Sequence, residues 1–317
     1  MQLRAAITSD IDTLNSIYHG IGCRRDGGYT YTEFQTGMEN FRDLLEPYEI
    51  KATLFMVGND FRVKKNIQYI LAMKSEGHEI ANHTNSHAQA FRLLQLEEKE
   101  AEIAEMEKIC LKVTGEKPVG FRCAGWNISN DAVPILKQRG YLYDSSVHPT
   151  SITPLFKFLQ WLTNLKRTRE EQTTFGNLQN MFSPAVPYIC TEKKLAKRGL
   201  NGIIEFPLTV TPFLRLPFYA TFLLATGMRL FKISYQIIKN LERPIIFSFH
   251  LSDFVDYFHP DLINQVPTSS DGVYVPQALR TPLKKKIELF RKAIEWIAKD
   301  YSFITLKEWA YEIRKNG

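Results

Sequence analysis

The side chains in this chain best suited to attack a polar bond fall into a small set. Asp10 and Asp12 are separated by one residue, His83 and His87 are four apart, and His250, Arg122 and Asp144 stand alone at the ends of apolar runs. Two imidazoles and one carboxylate can hold a divalent ion on one face and leave the opposite face open to water and substrate. A second carboxylate and a further histidine then supply a base and an acid. Each fragment alone has a plainer reading. Most histidines bind no metal, and paired acids beside a strand commonly cap loops. What sharpens the set is where its members lie.

They lie after strand-like segments. Leu3–Thr8, Ala52–Gly58, His78–His83, Val119–Ala124, Tyr141–Ser145, Ile203–Leu208, Pro244–Leu251 and Ser302–Leu306 read as strands. Most are separated by stretches of helical period. Phe34, Met38, Phe41 and Leu45 line one helix face, and Leu96, Ile103, Met106, Cys110 and Val113 another that ends at Gly115. The Glu/Lys run 97–102 reads as the solvated face of that helix. Thr281 is expected to cap a helix with Pro282 in its first turn. Strands alternating with helices imply parallel strands joined by crossovers. In a parallel barrel the C-terminal strand ends form the active face, so Asp10, Asp12, His83, His87, Arg122, Asp144 and His250 are expected on one rim. A doubly wound sheet fits the same alternation, but no GxGxxG or GxxxxGK[ST] supports its nucleotide-binding forms.

Read as motifs, ITSDIDT (7–13), NHTNSH (82–87), GFRCAGW (120–126), YDSS (143–146) and FSFHL (247–251) resemble the five ordered motifs of the NodB-homology polysaccharide deacetylases of carbohydrate esterase family 4. The resemblance covers 1–150 and 200–310. It implies a distorted (β/α)7-8 barrel and a metal-dependent hydrolase that removes an acetyl or formyl group from the nitrogen of an amino sugar. Carried over by residue, Asp10 is the general base, Asp12, His83 and His87 the ligands of one divalent metal ion, and Arg122 the holder of the base. Asp144 is the acid that tunes the histidine, and His250 the general acid. Leu251 and Trp126 belong to the substrate and acyl pocket, and the N–H of Gly125 is the oxyanion donor. Zinc is the first choice of metal, with cobalt, manganese and nickel as alternatives. Ala124 stands where the third motif usually has proline. Cytoplasmic members that act on a polyprenyl-phosphate-linked sugar share the D-I/V-D-T first motif. Two readings stay beside that one: a deacetylase of soluble or polymeric sugars such as peptidoglycan, and a glycan-binding barrel without turnover.

Residues 150–243 break the alternation and read as a mostly helical insertion into a single barrel spanning 1–317. Two apolar segments, Ile152–Leu165 and Pro212–Ile233, carry Lys166, Arg167, Arg169, Arg215 and Arg229 at their flanks. They are too short or interrupted to span a bilayer, but suit peripheral membrane contact, packing on the barrel, or a homo-oligomer interface. The net charge of +6 fits an anionic partner without naming one. A nucleic-acid role is not expected, since no basic stripe is interleaved with aromatics. Cys23, Cys110, Cys123 and Cys190 form no CxxC pair, and MQLRAAITSD has no apolar core of a signal peptide. Both point to a reduced, cytoplasmic setting. A Cys123 thiol nucleophile is the weaker alternative chemistry. His19, His78, His148 and His259 are expected to be structural.

Overall fold

The computed structural model describes residues 3–21, 31–88, 90–152, 178–267 and 275–316. Cys23 and all of Ile152–Leu165 beyond Ile152 lie outside these ranges. Among the described residues are ten strands: β1 Leu3–Ile11, β2 Thr53–Met56, β3 Glu79–Asn82, β4 Gly120–Phe121, β5 Tyr143–Asp144, β6 Tyr188–Thr191, β7 Lys194–Arg198, β8 Ile204–Glu205, β9 Ile245–His250 and β10 Tyr301–Phe303. The helices are α1 Leu14–Ile21, α2 Tyr31–Leu45, α3 Lys64–Ser75, α4 Leu96–Thr114, α5 Ala132–Gln138, α6 Ala220–Asn240, α7 Pro260–Ile263, α8 Gln277–Arg280, α9 Leu283–Ala298 and α10 Leu306–Asn316.

Eight strands run parallel: β9, β1, β2, β3, β4, β5 and β8 in that order, with β10 also paired to β1. Ala5 pairs with both Ile245 and Phe303, and Thr8 with both Ser248 and Thr53. A strand has two edges, so β10 and β2 share one edge of β1 and β9 takes the other. The sheet curls into an open barrel with helices outside it, the expected fold class. Its seam lies between β8 and β9. There the backbone ladder is replaced by a side chain, with Ile246 N–H donating to Thr209 Oγ1 at 2.7 Å. β6 pairs antiparallel with the free edge of β8, and β7 with β6. This hairpin covers an edge that would otherwise present unpaired backbone.

Period-two alternation decides what the barrel encloses. Along β1, Ala5, Ile7 and Ile11 join the core shared with Phe34 and Met38 of α2 and Phe290 of α9. Ala6 instead joins the inner core with Phe55, Ala81, Tyr143 and Ile246. Thr8 and Asp10 continue that inner series. On β9 the outer series is Ile245, Phe247 and Phe249, and Ser248 and His250 follow Ile246 inward. Leu306, Trp309 and Ala310 of α10 close the floor of the barrel.

Three expectations need correction. First, the described part of the mostly helical insertion expected over 150–243 is not all helix and not all insertion. β8 and α6 are a barrel strand and its crossover to β9, and the described remainder carries the β6–β7 hairpin. Phe231 of α6 stacks on Phe218 at 4.8 Å and meets Phe247 edge-on at 6.0 Å. Much of the apolar character of Pro212–Ile233 is therefore barrel packing. Second, Thr281 does not cap α9. Its Oγ1 donates to the Gln277 carbonyl at 2.9 Å, and Pro282 stands at the cap. Third, the 97–102 run is not all solvated. Lys99 is buried and pairs with Asp131 at 2.7 Å, and Glu102 reaches the histidine loop described next.

Candidate active site

β1 and β9 place Asp10 directly beside His250 in register. His250 Nε2 stands 3.9 Å from Asp10 Oδ2. The other carboxylate oxygen, Oδ1, accepts from Arg122 Nη1 at 2.6 Å. Arg122 is fully buried, and inner residues of several strands hold its guanidinium. Nη1 also reaches Thr8 Oγ1 and Ser248 Oγ, each at 3.1 Å, while Nε and Nη2 donate to the Ser145 carbonyl and hydroxyl at 2.9 and 2.8 Å. Its plane lies 4.0 Å from the centre of the Phe55 ring. Burial by itself would raise the Asp10 carboxyl. Arg122, with His83 and His250, outweighs burial and holds it below the ordinary carboxylate range.

The two loop histidines are not on a helix. His83 follows β3 and His87 sits in a turn with a left-handed φ of 58°, as does Thr84 at 66°. Such backbone costs on the order of 1–3 kcal/mol per residue and persists only where its surroundings hold it. Here Glu102 of α4 does so, accepting from the N–H groups of Asn85 and Ser86 at 3.0 and 2.9 Å and from Ser86 Oγ at 2.8 Å. Asn82 Oδ1 takes the Thr84 N–H at 2.8 Å. The turn brings the His83 and His87 rings to 5.0 Å, and His87 Nε2 to 3.7 Å from Asp12 Oδ2.

His83 Nδ1 lies 2.7 Å from the Arg122 carbonyl. A carbonyl only accepts, so Nδ1 carries the hydrogen and Nε2 keeps its lone pair. That is how outer partners prepare a ligating imidazole. Burial lowers the His83 pKa, which keeps the ring neutral. Asp12 Oδ1 is buried and has no hydrogen-bond partner, and burial raises its carboxyl to about 7 despite the nearby His250. An orphaned carboxylate oxygen beside two imidazoles, one of them oriented by a backbone carbonyl, fits a divalent cation. Among the described residues no three His, Cys, Asp or Glu side chains already close around a point. Asp12, His83 and His87 are the residues that would hold such an ion.

Two further predicted residues, Asp144 and Leu251, are placed differently from expectation. Asp144 does not sit against His250. Its oxygens accept from Ser146 Oγ at 2.6 Å and Ser146 N–H at 3.0 Å, and burial raises its pKa, as burial and Asp144 together push that of Glu205 well up. For His250, burial opposes the charged form, but Asp12, Asp10 and Asp253 outweigh it and raise its pKa. Leu251 does not line an open pocket. It continues the outer series of β9 and is fully buried beneath α2, where a Cβ on Gly37 would fall 2.4 Å from its Cδ1. Gly125 adopts φ 58°, which glycine tolerates, in a turn closed by Trp126 N–H to the Cys123 carbonyl and Asn127 N–H to the Ala124 carbonyl. Neither bond uses the Gly125 N–H. Trp126 lies 6.0 Å from the His250 ring. Cys123 is fully buried, and burial pushes its thiol well up, so it is no nucleophile.

The family model for polysaccharide deacetylase matches residues 26–143. The matched stretch is less than half of the chain. It contains His83, His87, Arg122, Gly125 and Trp126, while Asp10, Asp12, Asp144 and His250 lie outside it. A curated peptidoglycan-N-acetylglucosamine deacetylase from Bacillus cereus is 37% identical over 99 residues, which are 31% of this chain and 45% of that protein. The match thus spans less than half of the relative's length. The fold extends over the whole chain. A structure titled as a putative polysaccharide deacetylase from Mycobacterium smegmatis aligns with 100% of this chain and 92% of its own, at TM-score 0.62 and 14% identity. PuuE allantoinase aligns with 97% of this chain and 89% of its own, at TM-score 0.55 and 15% identity.

Sequence reasoning missed several residues around the candidate site. Glu102 looked like one more acid in a charged run. Asp253 was passed over, although its Oδ2 accepts the His250 N–H at 2.9 Å. His148, set aside as structural, has its ring 5.0 Å from Trp126. Its place four residues after Asp144, beyond a parallel strand end, was the available signal.

Proposed function

We propose that this protein is a polysaccharide deacetylase, a hydrolase that removes an N-acyl group from an amino sugar. The observation that carries the reading is the Arg122–Asp10–His250 arrangement on paired strands, with one carboxylate oxygen of Asp10 clamped by the guanidinium and the other facing the histidine. Held in its ionised form, Asp10 accepts a proton from the attacking water on Oδ2 as the new C–O bond forms. His250, charged in the company of Asp12, Asp10 and Asp253, gives its Nε2 proton to the departing nitrogen as the C–N bond breaks. In this reading the Gly125 N–H, left unused by its own turn, takes the oxyanion. A divalent ion held by Asp12, His83 and His87 would supply Lewis acidity at the acyl oxygen and lower the pKa of a bound water. Zinc suits two imidazoles and a carboxylate.

The Bacillus cereus relative makes peptidoglycan-type N-acetylglucosamine the first substrate to offer. The finer reading, a polyprenyl-phosphate-linked sugar met at a membrane, draws on the exposed Phe213 and Leu214 beside the loop of Ser151. No described helix is long and apolar enough to cross a membrane. The test is to incubate zinc-loaded protein with N-acetyl and N-formyl sugars, free, oligomeric and lipid-linked, with allantoin as a control, and to measure released acetate or formate. Acyl release from a sugar, lost in Asp10→Asn, is expected. No release from any sugar overturns the proposal, and release only from the lipid-linked forms selects the finer reading.

A further inference from the structure

Two polar atoms beside His250 have no role in folding. Trp126 Nε1 and His148 Nε2 are both buried without a hydrogen-bond partner. An unsatisfied buried polar group costs about 1–3 kcal/mol, and folded chains rarely keep two side by side. The two rings meet edge to face at 5.0 Å, and Tyr219 packs against both, at 5.8 Å from Trp126 and 5.4 Å from His148. Trp126 is only 9% exposed. The cluster comes from three loops at the barrel mouth, those after β4, β5 and β8, and it flanks the histidine proposed to protonate the leaving group.

We infer that Trp126 and His148 form a subsite that hydrogen-bonds neutral hydroxyl groups of a carbohydrate, with the aromatic rings of Trp126 and Tyr219 as its walls. The inference rests on the proposed sugar substrate and names the residues that grip it. An indole N–H donates only, and a neutral imidazole offers one donor and one acceptor. A hydroxyl is both donor and acceptor and can satisfy either. Burial pushes the His148 imidazole down to about 3, so the subsite carries no charge at neutral pH and favours a hydroxyl over a phosphate or carboxylate. Aromatic faces suit the apolar C–H face of a sugar ring. Arg122, whose charge also disfavours a protonated His148, is already bonded to Asp10 and Ser145.

The test uses the full chain with chitotetraose as probe. Trp126→Phe removes the N–H and keeps a ring, and His148→Phe removes both ring nitrogens. Calorimetric titration should show each variant binding the oligosaccharide about 5- to 20-fold more weakly than wild type, the scale of one lost hydrogen bond. KM should rise by a similar factor and kcat should move less. Thermal melts supply a readout that a structural role would not produce. Because neither atom has a partner within the protein, both variants should melt at or above the wild-type temperature. Wild-type affinity in both variants, or no saturable binding by wild type, overturns the inference, as does a lowered melting temperature in both. Saturable binding without acyl release sinks the proposed activity instead and leaves the subsite standing.

Discussion

Asp10 and Glu79 both point into the barrel and both are buried, but they stand at opposite ends and are held in opposite ways. At the mouth, Asp10 is clamped by a guanidinium and held low. On the floor, Glu79 has no cation in hydrogen-bond contact. It accepts from Thr53 Oγ1 and Tyr143 Oη, each at 2.7 Å, and from the Lys307 N–H at 2.8 Å. Burial raises its pKa, and those hydrogen bonds offset the rise only in part. Its neighbour Thr53 also takes the Leu306 N–H at 3.0 Å, so the two residues satisfy the first turn of α10, which plugs the floor. The same residue class in the same barrel thus has its pKa held low beside a guanidinium at one end and raised among neutral donors, as a strut, at the other. The partner decides which.

The largest effects should fall at the mouth. Asp10→Asn should lower kcat by about 10²–10⁴ while leaving bound zinc unchanged, and Arg122→Met should do at least as much damage. Glu79→Gln should keep kcat within about 2-fold, because it keeps the acceptor that α10 needs. Steady-state acetate release across the three variants breaks the comparison if Glu79→Gln proves as inactive as Asp10→Asn.

The next effect concerns how the histidine loop is held. Removing outer partners of ligating residues typically costs about 10- to 100-fold in metal affinity. Glu102→Ala should weaken zinc binding on that scale, since Thr84 and His87 would lose the brace for their left-handed turn, and Glu102→Gln should recover part of it. Equilibrium dialysis measures both, with the His83→Ala plus His87→Ala double variant as the metal-free reference. Wild-type affinity in Glu102→Ala would show that the loop holds its shape without α4.

Much of this was readable before the fold was known, and the failures have physical causes. Asp10, Arg122 and His250 could be placed together because parallel strands put their C-terminal ends on one rim. Alternation along FSFHL, counted from Phe247, also assigns Leu251 to the helix-facing series. The family resemblance suggested a pocket there, and the local period was the better guide. Glu102 was hidden because a brace and a solvated acid look alike in a charged helix. The β6–β7 hairpin escaped notice because its second strand, KLAKR, lacks the apolar alternation that marks a strand, and its burial depends on pairing with β6. His148 carries no local signal beyond its position past β5. What makes it notable is an unpaired nitrogen, which only the assembled neighbours reveal.

The smallest effect separates the two carboxylates by the sign of their pH dependence. Glu79 has a folded pKa raised above its unfolded value, so its stabilisation is fully present below about 4.5, the ordinary range for a free glutamate. It is lost progressively as pH rises through the folded value. Asp10 has a lowered folded pKa, so its contribution is present above the ordinary aspartate value and is lost only as pH falls through the folded one. Urea unfolding of wild type and Glu79→Gln between pH 4.5 and 7.5 isolates the floor group. The glutamine cannot ionise, so its stability relative to wild type should improve as pH rises from 4.5 and level off once the folded value of Glu79 is passed. Asp10→Asn compared in the same way should show a flat difference over this window, with its own slope appearing only in more acid solution. A flat difference for Glu79→Gln would mean that its hydrogen bonds hold Glu79 ionised, and that floor and mouth are not opposites in charge.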